Sequence, residues 1–122
     1  MTSLRTFDRA ALLDKFGGDH DFVRSLLGVT LRSSGSLPTE LRNACAAADF
    51  GALARLAHTV KGTAGDLVAT ELQSQARDAE LAARASDPGA LALNLELADT
   101  LDEFLGELRS AMARSGAPRE PT

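Results

Sequence analysis

Apolar residues recur every three or four positions along most of this 122-residue chain, which is the spacing of amphipathic α-helices. The pattern predicts six helical segments, at residues 7–16, 19–32, 37–48, 49–67, 70–85 and 87–112. Residues that commonly cap helices mark their limits: Gly17 and Gly18 after the first segment, Asp19 and Asp49 before the second and fourth, and Pro38 and Pro88 in the first turns of the third and sixth.

The apolar faces of these segments are expected to form one core. The predicted core positions are Phe7, Ala11, Leu12, Phe16, Phe22, Val23, Leu26, Leu27, Leu31, Leu37, Leu41, Ala44, Cys45, Ala48, Leu53, Leu56, Ala57, Val60, Ala64, Leu67, Leu72, Ala76, Ala79, Ala83, Leu91, Leu95, Ala98, Leu101, Phe104, Leu105 and Leu108.

Composition supports an all-α fold, because 42 of the 122 residues are Ala or Leu while Ile, Trp and Tyr are absent. We predict an antiparallel four-helix bundle with a short additional N-terminal helix. The four walls begin near Asp19, Asp49, Thr70 and Asp87, and the third segment leads into the second wall through Asp49. Residues 1–114 are expected to form a single domain and residues 115–122 a disordered tail.

The net charge of −4, without a run of Lys or Arg, argues against nucleic-acid binding. The single Cys45 excludes a disulfide framework. No leader or membrane-spanning run is visible, so we expect a cytoplasmic protein without direct membrane contact. The chain is alternatively the soluble C-terminal part of a membrane-bound hybrid kinase.

A helical projection of residues 49–67 places His58 opposite the apolar face, so we expect its side chain to be exposed. The other positions on its side of the helix are small, namely Gly51, Ala54, Gly62 and Gly65, and nothing large is expected beside the imidazole. Glycine within a helix costs about 1 kcal/mol relative to alanine. Three explanations stay open: the glycines end the helix near Gly62, they let a neighbouring helix pack closely, or they let another molecule approach His58.

Lys61 follows His58 by one helical turn and adds a positive charge at the edge of the same face. Its ammonium is expected to attract an anion at the imidazole and, as a like charge, to oppose protonation of the ring. An imidazole is a competent nucleophile near neutral pH without a separate base. Phosphoryl capture by a lone exposed His58 is therefore chemically plausible, and the alternative for Lys61 is an ordinary solvated surface lysine.

The stretch from Ala57 to Gly65, AHTVKGTAG, resembles the His-x-x-Lys-Gly-x-x-Gly signature of histidine-containing phosphotransfer (HPt) domains. Asp49, Leu72, Glu80 and the segment from Gly17 to Phe22 also resemble family positions, so the similarity covers residues 7–108. The sequence departs from the common pattern at Val68, where many members have glycine, and at Ala79, where a larger aliphatic residue is usual.

The resemblance implies a phosphorelay intermediate, in which His58 accepts a phosphoryl group from a receiver-domain aspartate and passes it to a response regulator. Lys61 would help to hold the phosphoryl oxygens, and Gly62, Gly65, Ala54 and Gly51 would form the docking surface. The expected partners are receiver domains of a hybrid sensor kinase or response regulator. The protein would be a monomeric phosphocarrier without ATP-dependent kinase activity or cofactor, and Mg²⁺ would belong to the receiver.

Two other functions fit the same residues. The chain could be a helical adaptor that binds a receiver or kinase domain without phosphotransfer, or the dimerisation bundle of a histidine kinase. His20 and the adjacent aspartates do not predict a metal site, since no further ligand is near in sequence. Cys45 is expected in the core, and five acidic residues are expected on solvated faces, namely Asp78, Glu80, Asp99, Asp102 and Glu103.

Overall fold

The computed structural model describes residues 7–115, which form α-helices joined by short turns. The helices are α1 (Arg9–Lys15), α2 (His20–Ser34), α3 (Leu37–Ala46), α4 (Phe50–Asp66), α5 (Thr70–Arg84) and α6 (Gly89–Ser115). All six predicted helical segments are therefore present. The predicted tail at residues 116–122 lies outside the described residues, whereas Ser115 is the last residue of α6.

Side-chain caps fix three of the helix starts. The carboxylates of Asp8, Asp19 and Asp49 each accept a hydrogen bond from the backbone N–H three residues later, which satisfies a donor that the helix cannot pair itself. The predicted caps Asp19 and Asp49 are thus confirmed. Asp87 accepts instead from Gly89 N–H, so α6 begins after Pro88 rather than at it.

Four helices end with a left-handed residue and paired backbone bonds, the arrangement that satisfies the last free carbonyls of a helix. At the end of α4, for example, Val68 N–H donates to Gly65 O and Ala69 N–H donates to Ala64 O. The left-handed residues after α1, α3, α4 and α5 are Gly17, Ala48, Val68 and Ser86, respectively. Only the first of these is the glycine that such a position favours.

The bundle is built around an antiparallel α4–α5 pair. Helix α5 also packs on α6, which packs on α3, and α3 closes the ring against α4. Gly35 and Ser36, between α2 and α3, keep right-handed helical backbone angles, so α3 follows α2 in the same wall. Helix α2 packs on α6. The predicted four-helix architecture is confirmed. The predicted placement of the third segment in the second wall is wrong: α3 shares the first wall with α2, because the left-handed Ala48 separates α3 from α4.

The short helix α1 and the residue before it are attached to the bundle by two contacts. Its Lys15 Nζ donates to the carbonyl of Asp66 at the end of α4, 3.1 Å away. The ring of Phe7, just before α1, packs edge-on against Phe104 of α6 with 6.2 Å between ring centroids. The N-terminal segment therefore lies against the bundle next to the end of α4.

The core follows the predicted faces at most positions. Leu53, Ala57, Val60 and Ala64 of α4 and the small stripe of α5 are fully or almost fully buried. Three core predictions are wrong. Phe22 and Leu95 are 46% and 44% exposed, because they lie at the outer edges of the apolar faces of α2 and α6, next to fully buried residues of the same turns. Ala48 is exposed because α3 ends before it.

Candidate functional site

Helix α4 presents His58 to solvent, as predicted. The side chain is 62% exposed, whereas Ala57 and Val60 of the same helix are fully buried. The helix continues through both Gly62 and Gly65 to Asp66, so the glycines do not end it. His58 therefore lies on a rigid element, with one side facing α5.

Glu80 of α5 lies directly beside the imidazole. Its Oε2 is 3.1 Å from His58 Nδ1, and its side chain is only 6% exposed. The prediction that Glu80 lies on a solvated face is wrong, as is the prediction that nothing large stands beside His58. The physical reason is that α4 packs against the edge of α5's apolar stripe that contains Glu80.

Two cationic side chains, in addition to His58, converge on the Glu80 carboxylate. Lys61 Nζ lies 2.8 Å from Oε1, and Arg84 donates to Oε2 through Nε at 2.9 Å and Nη2 at 2.6 Å. A buried carboxylate is costly unless it is paired, and here Lys61 and Arg84 supply that compensation. Lys61 is therefore bound to Glu80 in this structure, rather than free beside the imidazole.

The charge of Glu80 decides which nitrogen of His58 carries a proton. The hydrogen bond from Lys61, together with Arg84, lowers the pKa of Glu80 to about 2, against the opposing effect of burial. The carboxylate is thus ionised near neutral pH and can only accept hydrogen bonds. Nδ1 must then be the donor, which leaves the lone pair of the neutral ring on Nε2.

The four predicted docking positions differ in accessibility. Gly62 has open space where a side chain would project, and Gly51 is exposed. Gly65 is half-buried, and a Cβ there would lie 2.5 Å from the amide nitrogen of Gln73 on α5. Ala54 is 5% exposed, so its predicted place on the exposed face is wrong. Close packing of a neighbouring helix explains Gly65, while Gly62 leaves the approach to His58 open.

Arg84 and Gln73 were missed from the sequence, as was the role of Glu80. A signal for Arg84 was available, because it follows Glu80 by four residues on one helix, the spacing of an intrahelical ion pair. The approach of Gln73 to Gly65 depends on the register between α4 and α5, which no local pattern specifies.

The remaining candidates lie away from this site. His20 at the start of α2 is exposed, with Nδ1 3.5 Å from Arg9 Nη2. Cys45 is buried as predicted, and its thiol lies 3.5 Å from Leu91 O. Asp99 and Asp102 pair with Arg42 on the surface, and Asp78 and Glu103 are exposed as predicted.

The described residues offer neither a metal-binding cluster nor a membrane-spanning helix. No group of three His, Cys, Asp or Glu side chains within residues 7–115 is placed to hold a metal ion. No helix in that range combines the length and apolarity needed to cross a bilayer.

The site thus combines an exposed nucleophilic nitrogen, a lysine one turn away and an open approach over Gly62. Residues 25–111 match a family model described as the Hpt domain. No curated protein and no solved structure gave a significant match. The matched segment begins within α2 and includes His58, Lys61, Glu80 and Arg84.

Proposed function

Because the chain belongs to the Hpt domain family, we propose that it is a phosphorelay intermediate in which His58 accepts a phosphoryl group from a receiver-domain aspartate and passes it to a response regulator. Hpt domains are phosphocarriers of two-component systems rather than kinases. The observation that carries the proposal is the exposed imidazole whose Nδ1 donates to ionised Glu80.

The transfer uses the lone pair of His58 Nε2. It attacks the phosphorus of the receiver's acyl phosphate, the bond from phosphorus to the aspartate oxygen breaks, and the aspartate leaves as a carboxylate. Glu80 keeps the Nδ1 proton in place and offsets the positive charge that develops on the ring. The same step in reverse delivers the phosphoryl group to the aspartate of the next receiver.

Lys61 is positioned to change partners during this step. Its Nζ contacts Glu80 Oε1 at 2.8 Å and lies one turn from His58. When the phosphoryl group arrives, the ammonium turns to the phosphoryl oxygens, while Arg84 continues to neutralise Glu80. Mg²⁺ would be held by the receiver, where it would neutralise charge on the transferring group, and we expect no cofactor on this chain.

An exposed aromatic side chain next to the end of α4 supports transient docking of a receiver. Phe22 of α2 is 46% exposed and packs against Phe16, with 4.8 Å between ring centroids. The neighbouring Lys15 contacts the end of α4, so this pair adjoins the helix that bears His58. Aromatic side chains of this kind often supply a large part of a binding energy.

Phosphotransfer from a radiolabelled, phosphorylated receiver domain tests the proposal. We expect acid-labile, alkali-stable label on the wild-type protein and none on His58→Gln. His20→Gln is the matched control, because His20 is also exposed, and it should take full label. Undiminished label on His58→Gln would remove His58 from the mechanism.

The adaptor and kinase-dimer alternatives give different results in the same preparation. An adaptor would bind the receiver without taking label. A kinase dimerisation bundle would be a dimer by light scattering, whereas we expect a monomer.

A further inference from the structure

A cleft opens between the start of α4 and the end of α5, on the side of His58 away from Gly62. Its volume is about 410 Å³. Apolar groups contribute much of its lining, and two arginines complete it; the lining residues are Phe50, Gly51, Ala54, Arg55, Ala83, Arg84 and Ser86. The cleft is thus a small concave surface bounded by two positive charges.

The two arginines of the cleft are not equivalent. Arg84 is bound to Glu80 through two hydrogen bonds. The Arg55 guanidinium has no hydrogen-bond or ion-pair partner within residues 7–115. A Cβ added to Gly51 would lie 3.7 Å from Arg55 Nη1 and 3.7 Å from Asp49 Oδ1, so the guanidinium and this carboxylate both lie beside the Gly51 backbone at the cleft. Asp49, the residue before α4, accepts a hydrogen bond from Ala52 N–H as the cap of that helix and forms no ion pair with Arg55.

The cleft is close enough to His58 to be covered by any partner that reaches the imidazole. At 1.5 Å per residue, the lining positions of α4 lie roughly 4 to 12 Å from His58 along the helix axis. A standard interface buries about 800 Å² per partner, which corresponds to a disc of roughly 16 Å radius. A receiver centred on His58 therefore lies over Arg55 as well.

Covering Arg55 without giving it a partner would be unfavourable, because a desolvated charge needs an acceptor. On this basis, and resting on the proposed function, we propose that the cleft receives an acidic side chain of the docking receiver domain, whose carboxylate pairs with the Arg55 guanidinium. Bidentate pairing with a carboxylate is the geometry that arginine favours. Arg55 is thus a docking residue that selects among receivers and takes no part in the chemical step.

The test uses a receiver domain that labels the wild-type protein, and measures its dissociation constant for charge variants. Arg55→Glu should weaken binding about tenfold or more, and Arg55→Gln by less, because only glutamate adds repulsion. Arg109→Glu is the control: it is an equally large charge change at an exposed position of α6, which lies diagonally across the bundle from α4. We expect it to alter the dissociation constant less than about twofold.

Charge exchange identifies the partner group. Acidic residues around the receiver's phosphorylated aspartate are replaced one at a time by lysine, and we expect one replacement to restore binding to Arg55→Glu while weakening binding to wild type. At a saturating concentration of the original receiver, Arg55→Glu should still take label on His58.

Several results would overturn the inference. If Arg55→Glu and Arg109→Glu had equal dissociation constants for the receiver, the inference about Arg55 would be refuted. Labelling of His58 in the wild type would still uphold the proposed function in that case. Weaker binding by Gly51→Leu but not by Arg55→Glu would show an apolar occupant. If the wild type self-associated and Arg55→Glu did not, while receiver binding stayed unchanged, the occupant of the cleft would be a second copy of the chain. A wild type that takes no label from any receiver would refute the proposed function and this inference with it.

Discussion

His58 Nδ1 and Glu80 Oε2 lie 3.1 Å apart across the seam between α4 and α5. Glu80 is buried and ionised, whereas His58 is mostly exposed. The contact therefore connects an interior charge, held by Lys61 and Arg84, to a surface ring. Since the carboxylate only accepts hydrogen bonds, it determines the tautomer of the histidine from inside the protein.

Nitrogen NMR of the imidazole should show this tautomer directly. At a pH where His58 is neutral, we expect a protonated Nδ1 and an unprotonated Nε2. In Glu80→Ala both tautomers should be populated, because the acceptor is gone. His20 is an internal reference with the opposite expectation, since its Nδ1 faces the donor Arg9 Nη2. A protonated Nε2 on neutral wild-type His58 would contradict the assignment.

The pKa of Glu80 makes the stability of the fold pH-dependent. Its value of about 2 in the folded chain is below the ordinary 4.5, so the unfolded chain binds more protons between these limits. The ionised carboxylate therefore stabilises the fold above about pH 4.5, and that contribution is lost as the pH falls toward 2. Near pH 7 we expect Glu80→Gln to lower the free energy of unfolding by about 1 to 2 kcal/mol.

Denaturant titrations of wild type and Glu80→Gln between pH 7 and pH 2 measure this dependence. The difference between the two should shrink as the pH falls below about 4.5 and disappear only below pH 2, where the Glu80 carboxyl is protonated and both side chains are neutral. Glu103→Gln, at an exposed position of α6, should differ from wild type by less than about 0.5 kcal/mol at every pH. A difference for Glu80→Gln that persisted unchanged to pH 2 would show that its charge is not the cause.

Helix limits and the exposure of His58 were predictable because both depend on local patterns. Asp19 and Asp49 cap their helices by accepting hydrogen bonds from backbone N–H groups only three residues away. The buried face of α4 follows from the periodicity of its apolar residues alone. Glu80 was not predictable in this way. It lies at the edge of the small-residue face of α5, and whether that edge is solvated depends on how α4 packs against it.

Two other differences have the same kind of origin. Phe22 has helical spacing with the core residues of α2, but it lies at the exposed edge of that face, and its ring packs against Phe16 instead of entering the core. Val68 and Ser86 adopt positive φ angles of 58° and 53°. Their side chains give no indication of a left-handed residue, because glycine is the usual signal for it.

Gly62 and Gly65 should respond differently to substitution. Nothing lies within 4 Å of a Cβ at Gly62, so Gly62→Ala should raise the free energy of unfolding by about 0.5 to 1 kcal/mol through helix propensity. Gly65→Ala should raise the free energy of unfolding by less, because the new Cβ would lie 2.5 Å from the Gln73 side-chain nitrogen and Gln73 must move away. Thermal and denaturant unfolding measure both, and a larger gain at Gly65 would contradict the α4–α5 packing.

The open space over Gly62 has a separate functional test. Gly62→Leu should fold, since the added side chain meets solvent, but it should slow labelling of His58 by a phosphorylated receiver about tenfold or more through steric obstruction. Gly62→Ala measures the effect of the smallest side chain in the same assay. An unchanged labelling rate for Gly62→Leu would show that receivers approach His58 from another side.

Ala48, the left-handed residue after α3, should be a site of easily gained stability. Its φ angle is 49°, and this conformation costs a residue with a Cβ about 1 to 2 kcal/mol. Because Ala48 is exposed, removing its methyl group loses no core contact. Allowing for the greater freedom of glycine in the unfolded chain, Ala48→Gly should raise the free energy of unfolding by about 0.5 to 1 kcal/mol.

Ala46→Gly is the matched control for Ala48→Gly. Ala46 lies two residues earlier and is also exposed, but it is the last residue of α3. The control substitution should lower the free energy of unfolding by about 0.5 to 1 kcal/mol, and equal effects of the two variants would place the end of α3 elsewhere.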